Sequence, residues 1–253
     1  TSFTKIDDRT WEVEITGMTS GDTAQLTLAA SKVQDPAGND NTVSTSTDNS
    51  VTYDNVKPTI TINKKSGQAD PTNMDSATFT VISSEALTSL DASDFTTSNT
   101  TGSVTTVTAI NATTWEVTIT GMTSGDNATL TMTTGATTDL AGNDNIASTS
   151  TDNFVAYDSV APTIGVTAQA TNNTSPQIKG TVNDSTATIM VTVNGQDYPA
   201  TNNGDGTWML ASGAISPALG EATYDVVAKA TDAAGNNGTD ATLDELVIDT
   251  TSP

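Results

Sequence analysis

The sequence contains neither cysteine nor histidine, and aromatic residues make up only 4% of it. The lack of cysteine excludes a disulfide-stapled fold and thiolate metal sites. The lack of histidine removes the commonest general base and the commonest zinc ligand. No apolar run approaches the roughly 20 residues that span a bilayer, and no signal peptide is visible. We therefore expect no membrane insertion by this segment.

Basic residues are also scarce, since 8 lysines and arginines stand against 30 acidic residues and give a formal net charge of −22. A chain of this charge repels nucleic acids and anionic membranes, so neither is expected as a partner. The same carboxylates repel one another, and bound cations would relieve that repulsion.

Threonine is abundant, with 53 residues, and no long stretch shows helical periodicity. Apolar and polar residues alternate at Ala77–Val81 and at Trp115–Thr120, as they do in half-buried strands. Residues 57–160 contain about seven such segments, and residues 161–253 add an Asn194-Gly195 hairpin signal. This pattern predicts an all-β fold of antiparallel sandwiches. We expect Trp11, Trp115 and Trp208 to lie in cores.

An internal repeat organises the chain. Residues 6–60 align without a gap with residues 110–164, and 35 of these 55 positions are identical. We therefore expect one complete repeat at 57–160 and expect residues 1–56 to be the C-terminal half of a preceding repeat. Residues 161–253 form a third, divergent unit. A repeat of 104 residues argues against a β-solenoid, which has a much shorter period.

Three motifs carry a resemblance to a known family. A unit opens with Ala161-Pro162-Thr163-Ile164, contains an Asp-x-Ala-Gly-Asn loop at 139–143 and 232–236, and closes with an Asp-x-x-x-Pro linker. The chain resembles the bacterial Ig-like domains of giant repetitive surface adhesins, including biofilm-associated and type I-secreted proteins. The resemblance implies tandem Ig-like sandwiches, an extracellular location on the bacterial surface, a spacer role and calcium at domain junctions.

Strand order gives a separate argument for a cation site. In a seven-stranded sandwich, the loops after strands two and six lie at the end where the chain enters, so their acids converge on the incoming linker. Loop carboxylates and amides without histidine or cysteine favour Ca²⁺. The predicted ligands at the two junctions are Asp54, Glu85, Asp139, Asn143 and Asp144, and then Asp158, Asp184, Asp232 and Asn236. Asp-x-Ala-Gly-Asn is also a good turn sequence without any metal, and that alternative stays open.

The sequence thus predicts a structural extender segment of a surface adhesin, whose partners are the neighbouring Ig-like domains of the same chain. An alternative is a subunit of a self-assembling filament or surface layer, in which identical chains complete one another. A third alternative is a ligand-binding adhesin tip. An enzyme is not expected, because the acids lie in repeated turn loops and no nucleophile, phosphate-binding or cofactor motif is present.

Overall fold

The computed structural model describes residues 1–240 and 242–252. Almost all of its regular structure is strand, apart from a 3₁₀ turn at Ala92–Asp94. The predicted all-β class is therefore confirmed, as expected of a chain so rich in β-branched threonine. Within the described residues, no helix is long and apolar enough to cross a membrane.

Residues 1–56 form four short strands in two separate two-stranded sheets. The strands are β1 (Ser2–Lys5), β2 (Trp11–Glu14), β3 (Thr23–Gln25) and β4 (Ser50–Thr52). β1 pairs antiparallel with β2, and β3 pairs antiparallel with β4. Trp11 and Val51 are exposed, so these strands do not enclose a core. The expectation that Trp11 lies in a core is wrong, because the described residues of this half repeat provide no strands to cover it.

The complete repeat folds into seven strands, as the alternation predicts. They are β5 (Ile60–Lys64), β6 (Ser76–Ser83), β7 (Phe95–Ser98), β8 (Ser103–Asn111), β9 (Thr114–Thr120), β10 (Asn127–Met132) and β11 (Phe154–Ala156). One sheet has the order β5-β6-β9-β8 and the other has the order β11-β10-β7. All the strand pairs within these sheets are antiparallel, which is the arrangement of an Ig-like sandwich.

The core of this domain lies between the two sheets. Inward positions alternate along each strand, so that Phe79 and Val117 are fully buried opposite one another on β6 and β9. Leu130 on β10 closes the core from the second sheet. The threonines between these positions face outward, and Thr78 and Thr118 share a hydrogen bond of 3.1 Å across the outer face. Trp115 is buried, as predicted.

The third unit has its own core and a different sheet arrangement. Its strands are β12 (Ile164–Val166), β13 (Gln169–Thr171), β14 (Ile178–Val182), β15 (Thr188–Val193), β16 (Gln196–Asn202), β17 (Thr207–Leu210), β18 (Ala222–Tyr224), β19 (Val226–Thr231), β20 (Asn237–Thr239) and β21 (Leu246–Ile248). The larger sheet has the order β12-β14-β17-β16-β15-β19-β20, and the smaller has the order β13-β21-β18. The predicted hairpin at Asn194-Gly195 joins β15 to β16. Trp208 is buried in the core.

Asp126 ties together the loops at one end of the middle domain. Its Oδ2 accepts hydrogen bonds from the backbone nitrogens of Thr123 and Thr101, at 2.9 and 2.8 Å, and from the hydroxyls of Thr100 and Thr101. The backbone of Thr123, then that of Thr101, contributes most to lowering the pKa of Asp126 to about 2.

This depressed pKa predicts a pH-dependent contribution to stability. The contribution is present above the ordinary aspartate pKa of about 3.9 and is lost as the pH falls towards about 2. We expect Asp126→Asn to lower the melting temperature of the middle domain at pH 6, and parent and variant to converge near pH 2. Thermal unfolding at a series of pH values checks this. Asp22→Asn is the matched control with a smaller expected effect, because within the described residues the Asp22 carboxylate accepts from Thr19 alone.

Candidate metal centre

The loop between β10 and β11 presents Asp139 on a tight turn. The Asp139 Oδ1 accepts hydrogen bonds from the backbone nitrogens of Ala141 and Asn143, at 2.8 and 2.9 Å. Gly142 has a φ of +92°, a conformation that glycine adopts at little cost. These hydrogen bonds hold the Asp139 carboxylate in one position. The residue is almost completely buried.

A second loop, between β6 and β7, brings Glu85 beside this turn. Leu87 and Asp139 form an isolated antiparallel bridge, and the backbone nitrogen of Thr88 donates to the carbonyl of Thr138 at 3.0 Å. The two loops are thus joined by backbone hydrogen bonds, so Glu85 and Asp139 lie at the same end of the sandwich. Strand order predicts this placement of the two loops at the end of the sandwich where the chain enters.

The linker from residues 1–56 supplies the third carboxylate, that of Asp54. Its Oδ1 accepts from the Ser20 hydroxyl at 2.7 Å and from the backbone nitrogen of Val56 at 3.0 Å. The side-chain amide of Asn143 donates to the Asp54 carbonyl at 3.2 Å and to Asp139 Oδ2 at 2.9 Å. Asn143 therefore fastens the linker to the turn of the following domain.

One carboxylate oxygen from each of Asp54, Glu85 and Asp139 lies within 4.8 Å of the others. Burial raises the pKa of Glu85, and the negative charges of Asp139 and Asp54 raise it further. Burial, the largest single influence on the pKa of Asp139, acts to raise it, but the hydrogen bonds from Asn143, Ala141 and Gly142 together outweigh it and lower the pKa. The cluster thus concentrates negative charge in a partly desolvated place, which a cation would neutralise.

The donor set fits a hard cation. All three side chains offer oxygen only, and carboxylates are the ligands that Ca²⁺ takes most readily in proteins. The cluster brings one oxygen from each of three carboxylates together; Ca²⁺ takes six to eight oxygens, so backbone carbonyls or water would complete its shell. A structural zinc site would call for cysteine or histidine, and the sequence has neither.

Asp144 does not join the cluster. Its side chain is exposed and lies beside Gly135, while its backbone pairs with Thr138. Asp144 follows the turn at residues 139–143, and its antiparallel pairing with Thr138 directs its side chain away from Asp139. Asp91 and Asp94 lie further along the loop that contains Glu85, and their side chains cap the 3₁₀ turn.

The second junction repeats the linker contacts but not the carboxylate cluster. The Asn236 amide donates to the Asp158 carbonyl at 2.8 Å and to Asp232 Oδ2 at 2.9 Å, as Asn143 does at the first junction. Asp184 follows β14 as Glu85 follows β6, yet its Oδ1 accepts from the backbone nitrogen and hydroxyl of Thr186, both at 2.8 Å. Within residues 1–240 and 242–252, the three-carboxylate grouping occurs at the first junction alone.

Sequence reasoning missed two serines that hold the linkers. Ser20 and Ser124 occupy equivalent positions in the repeat, and their hydroxyls donate to Asp54 and Asp158 at 2.7 and 3.3 Å. Each hydroxyl also accepts from the backbone of the residue after that aspartate, Asn55 or Ser159. The sequence does contain a signal for these serines. The eight residues Ile15–Asp22, which include Ser20, recur unchanged as Ile119–Asp126.

Comparison with known proteins agrees with the fold. Family models described as "Bacterial Ig-like domain" match residues 54–156 and residues 163–250. No curated protein shows significant sequence similarity to the chain.

The Yersinia pseudotuberculosis adhesin InvE is 14% identical, with a TM-score of 0.28, over 72% of this chain and 59% of that one. The Escherichia coli adhesin FdeC is 13% identical, with a TM-score of 0.33, over 76% of this chain and 62% of that one. The N-terminal part of the bacterial S-layer protein SbsC is 13% identical, with a TM-score of 0.28, over 76% and 44%. The chain thus spans less than two thirds of each of these structures.

The two family matches cover separate stretches of the chain, and each stretch has its own sandwich core. These matches confirm the predicted resemblance to bacterial Ig-like domains. The chain therefore belongs to the bacterial Ig-like domain family, with one such domain at residues 54–156 and a second at residues 163–250.

Proposed function

We propose that the chain is an extender segment of a bacterial cell-surface adhesin, in which calcium stiffens the junction formed by Asp54, Glu85 and Asp139. The observation that carries the proposal is the meeting of these three carboxylates from a linker and two loops. A cation held there would connect the linker to the following domain. It would therefore restrict the angle between neighbouring units.

The repeated linker geometry supports the extender role. Seven residues separate β4 from β5, and seven separate β11 from β12. At both junctions an asparagine amide donates to the carbonyl of the linker aspartate, and a serine hydroxyl donates to its carboxylate. Units joined by the same short linker and the same contacts follow one another with a similar geometry, which suits a spacer on the cell surface.

The two junctions differ in how they would respond to calcium. At the first junction three carboxylates face one another, and at the second Asp184 is committed to Thr186. The second junction therefore depends on direct hydrogen bonds, chiefly those of Asn236. We infer that calcium acts mainly on the middle domain and its linker, and that Asp158, Asp232 and Asn236 hold the second junction without a cation.

Thermal unfolding of the chain with calcium, with magnesium and with excess chelator tests the proposal. A ligand that binds the folded state alone stabilises it by RT ln(1 + [L]/Kd), or about 1.4 kcal/mol at ten times Kd. We therefore expect millimolar calcium to raise the melting temperature of the middle domain by about 5–10 °C relative to chelator. Small-angle scattering should show a longer maximum dimension in calcium. Equal effects of magnesium and calcium would contradict a specific calcium site.

A further inference from the structure

The third unit contains all three Asn-Gly pairs of the chain, which are Asn194-Gly195, Asn203-Gly204 and Asn237-Gly238. In such a pair the backbone nitrogen of the glycine can attack the side-chain amide carbon of the asparagine, because glycine has no side chain to obstruct the five-membered ring. The reaction needs an asparagine amide that is free to rotate and a backbone that can follow it. The three pairs differ in both respects.

The first pair, Asn194-Gly195, is the exposed tip of the hairpin that joins β15 to β16. Its two residues have φ values of +50° and +73°, as a two-residue type I′ turn requires. Among the described residues, the Asn194 amide has no hydrogen-bond partner; the side-chain amide that is bonded at this tip is that of Gln196, which donates to the Gly195 carbonyl at 3.1 Å. A Cβ on Gly195 would meet nothing within 4 Å. The turn must open for the ring to close, but no bond of the Asn194 side chain has to break.

The second pair is held by its neighbours. The Asn203 side-chain amide donates to the Thr207 hydroxyl at 2.8 Å. The Gly204 backbone nitrogen, which would have to attack, donates to the Asn202 side-chain oxygen at 3.1 Å. Ring closure at this pair therefore requires the loss of both hydrogen bonds.

The third pair is held still more firmly. The Asn237 side chain accepts from the Thr231 hydroxyl at 2.7 Å and donates to the Gly235 carbonyl at 3.2 Å. Gly238 lies within β20, paired with β19, and a Cβ there would overlap the carbonyl oxygen of Pro162. The backbone at this pair is therefore closely packed on both sides and has little room to rotate.

We propose that Asn194 is a site of spontaneous modification, which converts to aspartate and isoaspartate in the folded protein faster than Asn203 and Asn237. The Gly195 nitrogen gives up its proton and bonds to the Asn194 amide carbon. The bond from that carbon to Nδ2 breaks, and ammonia leaves with the proton. Water then adds to either carbonyl of the cyclic imide and opens the ring. One route gives aspartate, and the other gives isoaspartate, in which the main chain runs through the former side chain.

The isoaspartate route lengthens the backbone of the turn by one carbon. The two-residue loop places Val193 opposite Gln196 and Val191 opposite Tyr198, and both valines are buried in the core. Because loop length fixes the register of a hairpin, the extra carbon disturbs the pair that closes it. We therefore expect the modification to lower the melting temperature of the third unit, independently of the calcium proposed at the first junction.

The test ages the full chain in mildly alkaline buffer, which favours loss of the glycine amide proton, and follows each Asn-Gly pair by peptide mapping and mass spectrometry. We expect Asn194 to convert at least about tenfold faster than Asn203 and Asn237, since ring closure there requires the smallest local opening. The control is the same chain in denaturant, where the fold no longer holds the other two amides, so the three rates should converge. Chelator in every sample keeps the result separate from the calcium site.

Asn194→Gly provides the second measurement. Gly-Gly also suits a two-residue turn, so the variant should fold, and it has no amide to lose. Ageing should lower the melting temperature of the third unit in the parent and leave that of the variant unchanged. Equal rates at the three pairs of the folded chain would overturn the proposal. Faster conversion at Asn203 would also overturn it, because the type I′ turn would then hold Asn194 away from attack. An equal loss of stability in parent and variant would assign the damage to another residue and would overturn it too.

Discussion

Replacing Gly180 with alanine is expected to destabilise the C-terminal domain by about 3 kcal/mol, the upper end of the range typical of overpacked cores. A Cβ on Gly180 would overlap the carbonyl oxygen of Gly165 and lie 2.7 Å from Nε1 of the fully buried Trp208. The indole donates to that same carbonyl at 3.1 Å. The new methyl group therefore forces β12 or the indole to move and breaks this partly buried hydrogen bond.

Calorimetry with two resolved transitions measures this effect. The transition of residues 163–250 should fall by more than about 10 °C, while that of the middle domain stays where it is, since the two cores are separate. Gly165→Ala is the matched control, because a Cβ there meets only the Thr181 hydroxyl, at 3.5 Å. A Gly180→Ala protein as stable as Gly165→Ala would refute the packing argument. A fall of both transitions together would refute the independence of the domains.

The sequence was sufficient to predict the seven strands of the middle domain. Its inward residues, such as Phe79 and Val117, alternate with threonine over long enough runs for the period of two to be clear. Turn residues separate these runs. Both signals are local in the sequence, so they can be recognised without knowledge of the tertiary structure. The same strand order correctly brought Glu85 and Asp139 to one end of the sandwich.

Trp11 shows where local pattern is not enough. Its neighbours Thr10, Glu12 and Val13 are identical to those of Trp115, yet the two side chains differ in exposure about tenfold. Burial depends on strands that are distant in sequence, and β6 covers only the second of the two residues. A residue pattern predicts which face of a strand is apolar, but not whether that face is covered.

Asp144 and Asp184 show a second limit. Each lies in the loop that sequence reasoning assigned to a junction, and neither carboxylate is part of the carboxylate cluster. Thr186 captures Asp184 through two short hydrogen bonds, and the pairing of Asp144 with Thr138 turns it towards Gly135. Loop membership follows from strand order, whereas side-chain direction is decided by competing local hydrogen bonds.

Glu85→Gln is expected to have opposite effects with and without calcium. In chelator, the variant should melt higher than the parent, because glutamine removes a charge that burial and the carboxylates of Asp139 and Asp54 disfavour. In calcium, the variant should lose most of the expected gain of about 5–10 °C, because one ligand carboxylate is gone. Asp184→Asn is the matched control: it occupies the equivalent position at the second junction, and it should leave the calcium response unchanged.

The pH dependence in chelator separates this explanation from a general change in packing. A carboxyl whose pKa is raised on folding binds its proton more tightly in the folded state. The parent should therefore gain stability as the pH falls from neutral towards the ordinary glutamate pKa of about 4.3. Glu85→Gln has no such proton to bind, so its stability should lack this gain over the same interval. If Glu85→Gln loses the calcium response but still gains stability as the pH falls, the raised pKa belongs to another group. If the variant keeps both the calcium response and the stability gain at lower pH, Glu85 neither binds the ion nor contributes the repulsion that calcium is proposed to relieve.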